Sequence, residues 1–211
     1  DNDNDPYDFK GHGTEVASII AAEQDGVGIQ GITESTYIYP LRVADRNGRF
    51  KQSDLMSALD YVSILSGIRI VNLSLGTEHY DLIMEESFKF FEKDDKVLFV
   101  CAAGNGGDDH LGDNNDEIPL YPASYSSGSI ISVAAIDSSG NLTKFSNFGL
   151  ESVDIAAPGK NIRVATVERE KVKQIPADGN LWSYTTLFNH PTYWTKKVYF
   201  DGPWMESPRN A

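Results

Sequence analysis

A histidine between two glycines is the first residue in this chain that is suited to acid–base chemistry. His12 stands in Gly11-His12-Gly13-Thr14, directly ahead of a helical pattern over 15–22. Glycine on both sides allows close backbone approach and leaves the imidazole unhindered. Imidazole changes charge near neutral pH, so His12 is a candidate general base. A lone histidine is more often an ordinary surface or core residue than a catalytic one. Other candidate residues in the sequence are therefore needed to distinguish between these two possibilities.

Asn105 is the second candidate. It lies in Ala102-Ala103-Gly104-Asn105-Gly106, at the end of the apolar stretch Val97–Ala103. A carboxamide at a strand end can direct its N–H at a developing oxyanion, and one such donor contributes about 3 kcal/mol to transition-state stabilisation. Taken alone, Asn-Gly is equally typical of a turn.

A third segment, Ser74-Leu75-Gly76, follows the short apolar strand pattern of Ile68–Leu73. Exposed strand edges bind extended peptides by main-chain hydrogen bonds, so this segment is a candidate peptide-binding edge. The plainer alternative is a strand that stops at a glycine.

The elements that must position these residues alternate between strand and helix. An extended apolar stretch is expected over 36–43, and Asp45–Gly48 reads as a turn. Ser53 is the predicted N-cap of the next helix. This alternation predicts an α/β fold whose mainly parallel sheet is covered by helices on both faces, with the active site at the carboxyl ends of the strands. The further predicted elements are helices over Ser53–Ile64 and Leu82–Phe91 and strands over Val97–Ala103, Ile130–Ile136 and Ser152–Ala157.

Composition narrows the function classes. The formal net charge of −13 argues against a nucleic-acid partner, because phosphate binding relies on Lys and Arg patches. No run of eighteen apolar residues exists, so no membrane span is expected. The single cysteine, Cys101, lies in an apolar run and is interpreted as a buried structural thiol.

Six motifs, in order, resemble those of the subtilisin-like serine proteases, or subtilases. The resemblance covers about residues 1–159. The matching segments are Gly11–Ala17, Asn72–Gly76, Ala102–Asn105, Tyr121–Ala123, Phe145–Gly149 and Asp154–Gly159. The fold implied is the three-layer αβα subtilisin-like fold, incomplete here at both ends.

The resemblance implies roles for the candidate residues. His12 would be the general base and Asn105 the side-chain donor of the oxyanion hole. A substrate-binding cleft would be lined on one wall by Ser74, Leu75 and Gly76, on the opposite wall by Ala103 and Gly104, and further upstream by Gly48, Arg49 and Phe50. The partner implied is a protein or peptide substrate.

The resemblance also implies a structural calcium in the loop after the histidine helix, while the chemistry itself requires no cofactor. Backbone carbonyls and a carboxylate oxygen are ligands that suit calcium. An ordinary glycine-rich turn is the alternative. The ligands implied are Glu23, Asp25, Val27 and Ile29.

Two catalytic motifs of the family have no match. Only eleven residues precede His12, too few for the strand that carries the family's aspartate. No Gly-Thr-Ser-Met-Ala string follows Pro158-Gly159, and Ser183 and Ser207 lack that setting. We therefore expect a chain cut at both ends, with the serine beyond Ala211, and no activity from the chain by itself.

The aromatic-rich tail defines a second predicted region. Residues 1–165 are predicted to form the partial catalytic domain, and residues 166–211 a linker and the start of an inserted, β-rich, jelly-roll-like module. Three functions remain open: a secreted or cell-surface serine endopeptidase, an inactive pseudoprotease that binds extended peptides, and a non-enzymatic surface-binding protein.

Overall fold

The structure is a computed structural model that describes residues 7–94, 97–107 and 109–165. These residues fall into two compact units. The larger unit spans Val43–Ile162, and the described residues of the smaller unit are 7–42 and 163–165. Helix α1 (His12–Ala21) belongs to the smaller unit, whereas α2 (Gln52–Ile64) and α3 (Leu82–Asp94) belong to the larger one.

A four-stranded parallel sheet organises the larger unit. Its strands β1 (Ile70–Leu73), β2 (Leu98–Ala102), β3 (Ile130–Ile136) and β4 (Ile155–Pro158) lie side by side in that order. All three neighbouring pairs are parallel, so their carboxyl ends meet at one edge of the sheet. The predicted α/β fold with a parallel sheet is confirmed. Two of the candidate segments, Ser74–Gly76 and Ala103–Asn105, follow β1 and β2 at this edge.

Element boundaries agree with the sequence prediction to within a few residues, with two exceptions. The prediction of Ser53 as an N-cap is wrong, because α2 begins at Gln52 with Lys51 in the cap position. Residues 36–42 form no regular strand, and the Tyr37 side chain there is 94% exposed. Apolar content alone therefore wrongly predicts a strand here, because this stretch has no ladder partner among the described residues.

The two faces of the sheet are buried unequally. Phe99 and Cys101 of β2 are fully buried, whereas Ile70 of β1 and Ile155 of β4 are 67% and 53% exposed. The strand register places Ile70 and Ile155 on the same face and Phe99 and Cys101 on the opposite one, because successive side chains of a strand alternate between the faces. Within the described residues, the face that carries Phe99 is therefore the better packed of the two.

An aromatic cluster forms the core between α3 and the sheet. Phe88 is fully buried, and its ring lies 4.8 Å from that of Phe99 and 5.7 Å from that of Tyr125. Phe91 packs on Phe99 at 5.0 Å between ring centroids. The spacing of Met84, Phe88 and Phe91 puts all three on one face of α3, which explains why this helix docks on β2.

Replacing Phe88 by alanine is expected to lower the free energy of unfolding by about 3–5 kcal/mol, because it opens a cavity in this cluster. Phe90 supplies a matched control on the same helix, since it is 58% exposed. Phe90→Ala should change stability by about 1 kcal/mol or less. Urea denaturation followed by circular dichroism measures both, and equal losses in the two variants would contradict the packing described.

The single cysteine is a core residue, as predicted. Cys101 is fully buried in β2, and this burial, with a smaller effect of the Asp154 charge, raises the pKa of its thiol well above the usual range. A thiol that stays protonated is a poor nucleophile. Cys101 is therefore not a candidate for covalent catalysis.

None of the helices in the described part of the chain is long and apolar enough to cross a lipid bilayer.

Candidate active site

His12 is the first residue of α1 and so stands at the start of a helix, as predicted. Gly11, at the N-cap, has a φ of 92°, in the left-handed region that glycine adopts at little cost. The buried face of the helix consists of Gly13, Ala17 and Ser18, and the His12 side chain is half-buried. The turn at Gly11 thus sets the direction in which α1 begins and the place of the imidazole.

The carboxylate of Asp8 holds this helix start. Its Oδ1 accepts the backbone N–H of Gly11 at 2.6 Å and of Lys10 at 3.0 Å. Its Oδ2 accepts the Thr14 backbone N–H at 2.8 Å and the Thr14 hydroxyl at 2.7 Å. Asp8 is only 5% exposed, so its carboxylate is not a solvated surface group. The N-terminal N–H groups of a helix lack partners within the helix, and a carboxylate stabilises them.

We expect Asp8→Ala to destabilise the start of α1 by about 1–2 kcal/mol, because several N–H groups lose their acceptor. Hydrogen exchange at the Gly11 and Thr14 amides should become faster. The control is Asp25→Ala, which removes an exposed carboxylate from the loop after the same helix. Unchanged protection of the Gly11 and Thr14 amides in Asp8→Ala would show that the carboxylate does not hold the helix.

The loop after α1 carries the predicted calcium ligands and is closed by backbone hydrogen bonds. The Gly31 N–H donates to the Ala22 carbonyl at 2.9 Å, and the Ile32 N–H donates to the Ile19 carbonyl at 2.9 Å. A Cβ on Gly31 would lie 2.7 Å from Ala21 Cα, so glycine is required at this close approach. Of the predicted ligands, Ile29 is half-buried, and the exposed ones are Glu23, Asp25 and Val27.

In the larger unit, Ser74-Leu75-Gly76 follows β1 directly. The Ser74 hydroxyl accepts a hydrogen bond from Asn72 Nδ2 at 2.9 Å. Leu75 is 2% exposed, so its side chain belongs to the core and any contact it makes with a substrate would be through its backbone. Thr77 then pairs with Tyr121 through two backbone hydrogen bonds of 2.8 Å.

The segment Ala103-Gly104-Asn105 follows β2, the neighbour of β1 in the sheet. Ala103 is fully buried, and Gly104 has a φ of 119°. The Ala103 N–H donates to the Val133 carbonyl of β3 at 2.9 Å, which extends the ladder beyond the strand. Asn105 comes next and is half-buried. Its carboxamide therefore stands at the carboxyl edge of the sheet, on a backbone fixed by hydrogen bonds.

The side chain of Leu120 separates the two predicted cleft walls. A Cβ built on Gly76 would lie 2.8 Å from Leu120 Cδ2, and a Cβ on Gly104 would lie at the same distance from the same atom. Both glycines therefore contact Leu120 closely, and Leu120 is 8% exposed. The structure thus brings the segments after β1 and β2 together around one buried leucine.

The segment Gly48-Arg49-Phe50 belongs to a tight turn. Asp45 Oδ1 accepts the backbone N–H of Asn47 at 2.8 Å and of Arg49 at 3.0 Å. These hydrogen bonds hold the pKa of the Asp45 carboxyl below its usual value, and the bond from the Arg49 N–H has the largest effect. Gly48 has a φ of 79°, which suits glycine in a turn. Phe50 forms an antiparallel bridge with Ala44, so the turn is pinned at its base.

A small recess connects this turn with the segment after Gly76. Its lining residues are Phe50, Gln52, Leu55, Thr77, Met84, Tyr121, Pro122 and Tyr125. Burial raises the pKa of the Tyr125 hydroxyl to about 12. Most of the lining side chains are apolar or aromatic, and the recess lies between the Gly48–Phe50 turn and the segment after Gly76.

The structure therefore groups the predicted substrate-binding residues and Asn105 in the larger unit, while His12 and the calcium loop lie in the smaller one. The predicted module over 166–211, with Ser183 and Ser207, lies outside the described residues.

Sequence reasoning missed two kinds of supporting residue. Asp8 was hidden in an acidic run, and Leu120, Asn115 and Asn147 contact the strand ends from distant parts of the chain. Only Asn147 carried a signal, since it lies in the Phe145–Gly149 motif.

A model of the subtilase family matches residues 1–199 of the chain. The thermophilic serine proteinase of Bacillus sp. (strain AK1) is 39% identical over 168 residues, which cover 79% of this chain and 38% of that protein. The minor extracellular protease Epr of Bacillus subtilis (strain 168) is 38% identical over 156 residues, or 74% of this chain and 22% of that protein. The chain thus spans well under half the length of these relatives.

A solved structure agrees with these sequence relatives. The psychrophilic subtilisin-like protease Apa1 from the Antarctic psychrotroph Pseudoalteromonas sp. AS-11 superposes with a TM-score of 0.63 and is 31% identical. The superposition covers 74% of this chain and 33% of that one. With the parallel sheet, the ordered motifs and a family match over most of its length, the chain belongs to the subtilase family.

Proposed function

We propose that this chain forms part of a serine endopeptidase, in which His12 is the general base and Asn105 the oxyanion-hole donor. The nucleophilic serine and the aspartate that orients His12 are supplied by residues outside these 211. Support comes from the family match and from relatives named as serine proteases. The same motifs that carry the family resemblance contain both proposed residues.

The chemistry proposed is acyl transfer. The serine Oγ attacks the peptide carbonyl carbon while His12 takes the hydroxyl proton. The carbonyl electron pair moves onto oxygen, and the Asn105 N–H donates a hydrogen bond to that oxyanion. Collapse breaks the C–N bond, and His12 gives its proton to the leaving amine. Water then repeats these steps on the acyl-enzyme, which releases the acid product and restores the serine.

The observation that carries the proposal is the placement of Asn105. It follows β2 at the carboxyl edge of the sheet, and its neighbour Gly104 shares the Leu120 side chain with Gly76, which follows β1. Active sites of parallel α/β sheets gather at this edge. A donor on a backbone fixed before substrate binds loses no reorganisation energy in the reaction, which is what oxyanion stabilisation requires.

Substrate binding follows from the same edge. We propose that the backbone of Ser74–Gly76 pairs with an extended peptide, and that the opposite wall is formed by Ala103 and Gly104. Gly48–Phe50 then contacts residues further upstream, beside the recess that Phe50 shares with Thr77. Main-chain pairing accepts many sequences, which suits an enzyme that cleaves within protein chains.

The test compares the 211-residue chain with the catalytically complete protein that contains it. The complete protein should react with a fluorophosphonate probe and cleave an internal bond of a fluorogenic peptide, whereas the 211-residue chain should do neither. A complete protein that binds extended peptides without cleaving them would be a pseudoprotease. One that neither binds nor cleaves peptides would be a surface-binding protein, and either result overturns the proposal.

We also propose a structural calcium in the loop after α1, held through Glu23, Asp25, Val27 and Ile29. The donor types support it, since carbonyl and carboxylate oxygens suit this cation. Among the described residues no group of three acidic, histidine or cysteine side chains converges, so backbone carbonyls would supply most of the ligands. Asp25 Oδ1 also accepts the Val27 N–H at 2.9 Å, which orders the turn.

Calcium should raise the melting temperature of the chain, and Asp25→Ala should abolish that rise. Asp137→Ala is the control, because Asp137 is an acidic residue in a comparable turn of the larger unit, where it accepts the Ser139 N–H. A melting temperature that does not depend on calcium, or that depends on it equally in Asp25→Ala, would remove the site.

For location, we propose a secreted or cell-surface protein. A relative named as an extracellular protease supports export. Fractionation of the source cells tests it, and recovery of the complete protein only from the cytosol would overturn it.

A further inference from the structure

Two buried asparagines hold the segment that carries Asn105. Asn115 and Asn147 are only 1% and 3% exposed. The Asn147 Nδ2 group donates to Asn115 Oδ1 at 2.9 Å. Buried carboxamides are costly unless their donors and acceptors are satisfied, so a pair of them in a small core requires a reason.

The pair reaches Asn105 from both sides in the sequence. Asn115 Nδ2 donates to the Ala103 carbonyl at 2.7 Å, two residues before Asn105. Asn147 Oδ1 accepts the N–H of Gly106 at 2.6 Å, one residue after Asn105. The Asn147 backbone N–H also donates to the Gly104 carbonyl at 2.9 Å. Backbone groups on both sides of Asn105 are therefore tied to the same two residues.

The orientation of both carboxamides is set by the backbone groups at the two ends. Asn147 Oδ1 faces two donors, the N–H groups of Gly106 and Asp113, the latter at 3.1 Å. Its Nδ2 must then point at Asn115 Oδ1, which leaves Asn115 Nδ2 for the Ala103 carbonyl. The hydrogen bonds from the Gly106 N–H to the Ala103 carbonyl therefore form a series in which every donor points the same way. In such a series each hydrogen bond polarises and strengthens its neighbours.

The fit around Gly104 makes the arrangement rigid. A Cβ on Gly104 would lie 2.5 Å from Asn147 Nδ2, so the carboxamide packs directly on the glycine backbone. Asn115 is in turn fixed by its own N–H, which donates to the Phe148 carbonyl at 2.6 Å. The residues that carry Asn105 thus have little freedom to move away from Asn147.

We propose that Asn115 and Asn147 are positioning residues of the oxyanion hole, acting through the backbone of Ala103–Gly106 to aim the Asn105 carboxamide. This inference rests on the proposed function, because it assumes that Asn105 stabilises the oxyanion. Oxyanion stabilisation depends on donors that are aimed before the reaction, and a displacement of about 1 Å costs about 100-fold in rate. A purely structural pair would affect folding but not the rate of folded molecules.

The experiment measures kcat and KM of the catalytically complete protein for a peptide substrate. We expect Asn147→Ala and Asn115→Asp each to lower kcat by about 10-fold to 100-fold, with KM changed by less than about 3-fold. In Asn115→Asp an acceptor replaces the Nδ2 donor and faces the Ala103 carbonyl. The control is Asn114→Ala, since within the described residues the Asn114 side chain bonds to its own turn, donating to Glu117 and accepting the Asp116 N–H. It should keep the parent kcat.

A double-mutant cycle with Asn105→Ala gives a readout that a structural role does not move. If the pair acts through Asn105, adding Asn147→Ala to Asn105→Ala should lower kcat no further. Losses that multiply, or an unchanged kcat in both single variants, overturn the inference. If Asn105→Ala itself leaves kcat unchanged, it is the proposed function that fails.

A second variant and a second measurement test the inference if Asn147→Ala or Asn115→Asp folds poorly. Asn147→Ser keeps a hydroxyl acceptor near Gly106 and removes less volume. Affinity for a peptide aldehyde, whose adduct places an oxyanion in the hole, should fall in this variant by about the same factor as kcat, while affinity for the uncleaved product peptide stays constant. Equal losses for aldehyde and product would overturn the inference.

Discussion

Replacing His12 by alanine should abolish nearly all peptide hydrolysis by the catalytically complete protein. The imidazole would be the group that takes the serine proton and returns it to the leaving amine, so its loss affects both halves of the reaction. Removal of the corresponding base in subtilisin lowers kcat by about 10⁶-fold, and we expect a loss of that order here, with little change in KM.

The control for His12 is another histidine of the same chain. His79 is exposed and lies in the larger unit, where its backbone carbonyl accepts a hydrogen bond from Gln52. Since alanine keeps that carbonyl, His79→Ala should retain the parent kcat. Initial rates on a peptide p-nitroanilide measure both variants. A His12→Ala protein with a kcat near that of the parent would exclude His12 as the base.

Elements made by local patterns were the most predictable part of the fold. The predicted bounds of β3 match the observed strand, Ile130–Ile136, since a run that is apolar except for Ser132 favours a central strand between two neighbours. The amphipathic pattern of α1 begins only at Glu15, three residues after the helix itself begins at His12. That start depends on the Asp8 carboxylate and the left-handed Gly11, which are contacts outside the helical periodicity.

The residues that hold the candidate site in place were much less predictable from the sequence than the candidate site residues themselves. Asn105 and Ser74 stand in recognisable strand-end motifs, and their proximity follows from the order of parallel strands. Asn147 and Asn115 were not given roles, because their bonds join residues 12, 32 and 41 positions apart. Only the tertiary fold brings such residues together, and no periodicity in a single sequence reveals them.

Replacing Asn105 by alanine is the second large effect expected. The change removes one hydrogen-bond donor to an oxyanion that exists in the transition state but not in the bound substrate, so kcat should fall while KM stays nearly constant. Loss of the side-chain donor in subtilisin costs about 10²–10³-fold in kcat, equal to about 2.7–4 kcal/mol, and the same range is expected here. Because Asn105 is only half-buried and lies after the end of β2, we expect its replacement to have little effect on the stability of the fold.

Two controls decide whether the loss is electrostatic. Asn141→Ala removes a carboxamide from an exposed turn and should leave kcat unchanged. Asn105→Asp keeps the size of the side chain but replaces its N–H donor by a negative oxygen, so it should lose at least as much as Asn105→Ala. If Asn105→Asp instead retained more activity than Asn105→Ala, shape rather than hydrogen-bond donation would be the contribution of this residue. The oxyanion-hole assignment would then fall even with His12 confirmed as the base.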